Sequence, residues 1–403
     1  MNEAKSNESE REALVRWRSE TPGCGIRVHL NNAGASLMPA VVKDAITAHL
    51  GRESIEGGYE AADAQAPAIA DAYDAVARLI GAAARNIAIV PSATDGFALA
   101  LSAFDFAPGD VILTSSDDYI SNQLMYLSLA ARRGVRVVRA PDGPMGGVDL
   151  RTLEELIERE RPRLVALSWI PTNSGLVQPA AAVGALCKAE GVPYLLDACQ
   201  AVGQMVVDVR ELQCDYLATT ARKFLRGPRG IGFLHVSDAA LERGDHPLLV
   251  DMRGARWTEP DAFALVDDAR RFENWEFAYA LVLGLGAAAH YANALDLATA
   301  SRRAHALAAH VRRRFGSIRG VRGLDRGERL SAIATFTVDG HAARDLVLAL
   351  RERGINTSSQ SRADALIDLT RKGAETLLRV SPHYFNTEDE IETAARGLEK
   401  LLG

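Results

Sequence analysis

Tyr194-Leu195-Leu196-Asp197-Ala198-Cys199-Gln200, followed by Thr219-Thr220-Ala221-Arg222-Lys223-Phe224-Leu225-Arg226-Gly227-Pro228-Arg229-Gly230, decides how this chain is read. One short apolar run ends in an acid, and the next ends in a lysine before a glycine-rich turn. Near-continuous apolar runs mark strands covered on both faces. Open α/β sheets place ligands at the carboxyl ends of such strands. Taken singly, Asp197 reads as a helix cap and Lys223 as a solvated side chain. Taken in this order, the two residues meet the needs of pyridoxal phosphate. Its aldehyde condenses with an amine, and its ring accepts electrons when a carboxylate keeps the pyridine nitrogen protonated.

Working outward, the same texture runs from about Asn86 to Val236. Ile87–Val90, Val111–Thr114, Val135–Val138, Leu164–Leu167, Tyr194–Leu196, Tyr216–Ala218 and Gly232–Val236 are predicted strands. Helical patterns such as Leu150–Arg159 and Ala180–Glu190 separate many of them. This alternation predicts a mostly parallel seven-stranded sheet with right-handed crossovers. The stretch Ser237–Arg271 breaks the pattern with charge and turn residues, and a long helix is predicted from about Glu276 to Leu297. Beyond it, strands at Ser331–Val338 and Leu377–Ser381 and helices at His341–Arg353 and Thr387–Leu402 have the texture of a smaller α+β unit. A division is therefore expected between residues 1–285, an N-terminal arm with a large cofactor-binding domain, and residues 286–403, a small C-terminal domain.

Composition narrows the function classes. The chain has 403 residues, 48% hydrophobic and 24% charged, with a formal charge of -6. Interspersed charges of that balance leave no basic footprint for nucleic acid. No apolar run is long enough to span a bilayer, and Met1–Arg11 lacks an apolar signal core, so a cytoplasmic protein without a membrane partner is expected. Cys24, Cys187, Cys199 and Cys214 are scattered without paired or metal-ligand spacing, and the histidines show no ligand motif. No metal is expected, and Cys187 and Cys199 read as small core residues.

Other segments fit the cofactor reading. Ile89–Gly96 ends a strand and opens a helix, whose N-terminal N–H groups suit a phosphate, although Ser92 or Thr94 would equally serve as an ordinary cap. Gln200, close after Asp197, is placed to donate to the ring's phenolic oxygen or to sit on the following helix as a surface amide. Arg222 and Thr220 are candidate phosphate donors, and Arg222 would also lower the lysine's pKa.

In combination, Asp-x-x-Gln at Asp197–Gln200 and Arg-Lys-x-x-x-Gly-Pro-x-Gly at Arg222–Gly230 resemble the class V aminotransferase family. The likeness extends from His29–Gly34 to Leu378–His383. It implies fold type I of the pyridoxal-phosphate enzymes, an aspartate-aminotransferase-like architecture, and a homodimer with shared active sites acting on a small amino acid. Residue by residue, it implies that Ala93 and Thr94 bind phosphate and that Tyr119 stacks on the ring. Asn173 would sit near the phenolic side, Arg379 would clamp the substrate carboxylate, and Gly34 would line the substrate. Asp197, Gln200 and Lys223 match directly. Arg222 replaces the family's usual histidine, and Glu276 stands where the family has a threonine for the neighbouring subunit's phosphate. Cysteine desulfurases carry an acceptor cysteine that Gly354–Arg362 lacks, so persulfide formation there is not expected. Ile55–Ala62, the Lys223 turn and Leu378–His383 with Asn386-Thr387 look like the hercynylcysteine sulfoxide lyases of ergothioneine biosynthesis, with Tyr59 in the substrate pocket. The resemblance therefore implies a carbon–sulfur lyase that releases pyruvate and ammonia by β-elimination. An aminotransferase, an isopenicillin-N-epimerase-like epimerase or a non-catalytic cofactor-binding module are the alternatives.

Overall fold

The computed structural model describes residues 2–403. After β1 (Val28–His29), seven strands build one sheet: β2 (Ile87–Val90), β3 (Val111–Ser115), β4 (Arg136–Ala140), β5 (Leu164–Ser168), β6 (Tyr194–Asp197), β7 (Tyr216–Thr220) and β8 (Gly232–Val236). Their order is β2-β8-β7-β6-β5-β3-β4. β8 runs antiparallel to both neighbours, and the other pairings are parallel. Every residue of β2, β3, β5, β6, β7 and β8 is buried, as their unbroken apolar runs require. At the edge, β4 carries Arg136 and Arg139 and is more open.

The two-residue period of a strand divides the core. Tyr194 and Leu196 of β6 enter one apolar layer, with Leu153, Val183 and Leu285 from the covering helices. Leu195 enters the opposite layer with Phe97 and Tyr126. Helices on both faces thus leave the carboxyl edge of the parallel strands free to hold a ligand.

β9 (Ala255–Glu259) and β10 (Ala262–Leu265) form an exposed hairpin inside the segment that broke the sequence pattern. A four-stranded antiparallel sheet follows, in the order β11-β12-β15-β14: β11 (Val321–Gly323), β12 (Ala334–Val338), β14 (Ser358–Ser361) and β15 (Thr376–Val380). Helices Leu297–Gly316, Ala343–Glu352 and Glu388–Leu402 bury Phe315, Leu346 and Ile391 against it. β1 pairs in parallel with β13 (Ile355–Asn356), and Asn31 bridges Ser381, so His29–Gly34 lies along the small sheet.

Two predicted elements are shorter than expected. The strand over Ser331–Val338 begins at Ala334, because Arg312 captures the carbonyls of Ser331 and Ile333 and Gln204 accepts from the Ala332 N–H. The helix over Glu276–Leu297 spans Tyr279–Asn293, and Asp296 then caps the next helix by accepting from the Thr299 N–H at 3.1 Å. The expected division at 285/286 falls inside Tyr279–Asn293, and we propose the junction at its end. Among the described residues no single helix is long and apolar enough to cross a membrane. Tyr279–Asn293 and Leu297–Gly316 are bent from each other by 89°, and their Val282, Leu285, Leu307 and Val311 lie in the core.

Candidate active site

Asp197 is the last residue of β6, in register with Ser168 of β5 and Ala218 of β7. Lys223 follows the end of the adjacent β7 in a tight turn, where the Gly227 N–H donates to Ala221 O at 2.8 Å and the Arg226 N–H to Lys223 O at 2.9 Å. The turn needs Arg226 in the left-handed region, φ 63°. Its guanidinium repays that strain through Leu37 O at 2.9 Å, Tyr384 Oη at 2.6 Å and Thr21 Oγ1, above the Phe385 ring at 4.4 Å. A Cβ on Gly203 would stand 2.3 Å from Phe224, so the chain beneath the lysine turn can pass only as glycine.

The lysine amine lies 5.8 Å from the centre of the Tyr119 ring and forms no ion pair among the described residues. Burial pushes its pKa below the usual value; the Cys199 thiol and Asp197 oppose this, and Arg222 and Arg379 add to it. A lysine held this way is neutral more readily, as a nucleophile and proton carrier requires.

Arg379, on β15, is buried and donates to Thr172 O at 2.9 Å and Thr172 Oγ1 at 2.6 Å, with Asn31 Oδ1 at 3.4 Å. Its Nε has no partner and no carboxylate pairs with it among the described residues. Burial first, and Arg222 second, lower its pKa to about 10. Arg222 donates to Gly34 O, so Gly34 bridges the N-terminal segment and the lysine turn. Unpaired buried cations are costly unless an anion joins them. Gln200 Oε1 and Asn173 Oδ1 are likewise buried without partners. Three cations, one facing carboxylate and several orphaned polar atoms fit a phosphorylated pyridine with an amino-acid carboxylate. Lys223 and Asp197 would hold its aldehyde carbon and its ring nitrogen.

The remaining candidates are placed unevenly. Ala93 and Thr94 open the helix Ala93–Ser102 at the same sheet edge, with Ser92 accepting from the Asp95 N–H at 3.1 Å. Ala93 is buried and Thr94 exposed, and Thr220 closes β7. Gln200 donates to Ala33 O at 3.1 Å and Thr172 Oγ1 at 3.0 Å, and is therefore a buried bridge to the N-terminal segment, not a surface amide. The Asn173 amide donates to Asp117 at 2.9 Å and Asp368 at 2.8 Å. Cys199, expected in the core, is half-buried, and its N–H donates to Asp197 Oδ1 at 2.9 Å. Tyr59 is 69% exposed on the helix Gly58–Ala64, and Glu276 is exposed; neither is brought to Lys223 within the chain.

Sequence reasoning missed the group behind Asp197. Asp118, Asn122 and Ser168 converge there, Asn122 donating to Asp197 Oδ2 at 3.1 Å. It also missed Thr172, which receives Arg379 and Gln200. The available signal was a polar residue closing each apolar strand, and Asp118 and Asn122 one helical turn apart.

A model of the aminotransferase class-V family matches residues 28–393. The chain is 28% identical over 415 residues to a cysteine desulfurase of Serratia proteamaculans, covering 97% of this chain and 99% of that one. It is 25% identical to C-DES, solved as a lysine-to-alanine variant with glycine covalently linked to its pyridoxal-phosphate cofactor (TM-score 0.84, covering 95% and 98% of the two chains). A complex of the same protein, described as a cystine C–S lyase with its product cysteine persulfide, has the same fold at 24% identity (TM-score 0.84, covering 94% and 99%).

Proposed function

The chain belongs to the class V aminotransferase family of pyridoxal-phosphate-dependent enzymes, and from that premise we propose a carbon–sulfur lyase acting on a cysteine-derived amino acid. One observation carries this reading. The Arg379 guanidinium, which has no carboxylate partner among the described residues and a free Nε, meets the Lys223 amine and the Asp197 carboxylate at one site, in a chain with no cysteine from Gly354 to Arg362.

When bound, pyridoxal phosphate supplies an electron sink that acidifies the Cα–H of an attached amino acid. Arg379 presents its planar fork to the α-carboxylate and fixes the Cα–H direction. Asp197 would hold the cofactor's ring nitrogen and keep it protonated. Lys223 Nζ takes the Cα proton. With the cofactor bound, the β-carbon–sulfur bond would break with its electron pair on sulfur, and Lys223 or Tyr59 would return a proton to the leaving group. Water completes the reaction, giving pyruvate and ammonia.

Within this class we favour an S-substituted cysteine sulfoxide, following the likeness of Ile55–Ala62 and Leu378–His383 to hercynylcysteine sulfoxide lyases. A homodimer is part of the reading. Ile55 at 86% and Tyr59 at 69% exposure stand open on one chain, as do Leu249 and Trp257 at 82%, and a second copy would cover them. The test is pyruvate release from a panel of S-substituted cysteines and their sulfoxides. Pyruvate formed without a keto acid supports the lyase; turnover that depends on a keto acid identifies an aminotransferase instead.

A further inference from the structure

Asp197 does not stand alone at its strand end. Ser168 Oγ lies 2.6 Å from Asp118 Oδ1 and 3.3 Å from Asp197 Oδ2. A hydroxyl has one proton, and the shorter distance gives it to Asp118. Asn122 has two amide protons, and both are used: one on Asp118 Oδ1 at 3.1 Å, one on Asp197 Oδ2 at 3.1 Å. Asp118 also accepts from the Tyr119 N–H at 2.7 Å, Gln123 Nε2 at 3.0 Å and Thr114 Oγ1 at 3.2 Å. All of these donors are neutral. Two buried carboxylates therefore share one set of donors, and Asp118 holds the larger share.

The consequence falls on Asp197. Its Oδ1 accepts from the Cys199 N–H and its Oδ2 from Asn122, and each oxygen has a second acceptor site to spare. Were Ser168 free to turn toward Asp197, it would occupy that site. We propose that Asp118, acting through Ser168 and Asn122, is a positioning residue that fixes the orientation of Asp197 and keeps one of its lone pairs open for a ring N–H. This rests on Asp197 being the partner of the ring nitrogen. Burial lifts Asp118 above the usual carboxylate range, while hydrogen bonds from Ser168 and Asn122 oppose that lift. The charge near the ring is thus set by two acids, only one of which touches it.

The experiment measures the dissociation constant of pyridoxal phosphate by quenching of intrinsic fluorescence. It compares the wild-type protein with Asp118→Asn, Asn122→Ala, their double variant and Asp197→Ala, and uses Tm as the folding control. Asp118→Asn, which loosens the hold on Asn122, and Asn122→Ala, which removes the donor shared with Asp197, are each expected to weaken binding about tenfold, the worth of one hydrogen bond to a charged group. The double variant is expected to be no weaker than the weaker single one, because both act through one hydrogen-bonded chain. With a saturating cofactor, kcat is expected to fall while the substrate KM holds. Additive losses, or unchanged binding in Asp118→Asn beside a clear loss in Asp197→Ala, overturn the positioning role and leave the role of Asp197 standing. Wild-type affinity in Asp197→Ala overturns the reading of the site itself. If Asp118→Asn fails to fold, Asn122→Ala, which removes the donor shared by the two carboxylates, decides: a tenfold loss supports the proposal and no loss overturns it.

Discussion

Arg379 spends one arm of its guanidinium on Thr172, at 2.9 Å to the carbonyl and 2.6 Å to the hydroxyl, and leaves its Nε without a partner. No acid pairs with this arginine among the described residues, so its free Nε is open to an anion from outside the chain. Replacing it with alanine is expected to raise the substrate KM by about 100-fold or more, the worth of two charge-assisted hydrogen bonds. Cofactor binding should change much less. Steady-state kinetics beside a cofactor titration checks this, and equal losses in both would remove Arg379 from the substrate carboxylate.

Lys223 gives a stability signature in the cofactor-free protein. Burial holds its folded pKa below the ordinary 10.5. Between the two values the unfolded chain binds a proton that the folded chain does not, so stability rises with pH through that window. Lys223→Met is expected to flatten this alkaline rise in Tm and to abolish turnover. An unchanged slope in the variant would show that the amine is not desolvated.

Cys199 lies beside Lys223 and Asp197, yet burial first and Asp197 second push its thiol up to about 12. A thiol that rarely ionises is a poor sulfur acceptor. Cys199→Ala is expected to retain pyruvate formation within about twofold, since the reaction needs no thiolate there. Alkylation of the native protein near neutral pH should be slow at this position by peptide mapping. Loss of activity in Cys199→Ala would return a persulfide route to consideration.

Asp117 faces Asp368, with Lys372 behind, and the Asn173 amide lies between the two carboxylates. Burial, and then Asp368, push Asp117 up to about 7 from an ordinary 3.8. The folded state therefore holds a proton that the unfolded state has lost, and stability falls as pH rises across that window. Asp117→Asn, which keeps an oxygen for Asn173, is expected to lessen this fall. Tm measured at intervals from pH 4 to 8 checks it, and parallel curves for the two proteins would contradict it.

Much of this site was legible because it is local. Asp197 and Lys223 sit at the ends of runs whose apolar residues could only be covered strands, and adjacent parallel strands bring their carboxyl ends together. Arg379 was readable only through family likeness, because its partners Thr172 and Asn31 are 207 and 348 residues away along the chain. Asn173 shows the same limit, since its amide is taken by Asp368 of the short helix Leu366–Arg371. Ser331–Ile333 alternates like a strand, but side chains of Arg312 and Gln204 outcompete a neighbouring strand for its backbone. Tyr59 illustrates a different gap: it stays 69% exposed in the fold of one chain.

The turn after Lys223 is tied to two segments far apart in sequence at once. Arg226 reaches Thr21, just past the first helix, and Tyr384, just before the last. The loop carrying the reactive amine is thus braced on one guanidinium by both, so a change that loosens either segment also loosens the seat of the amine.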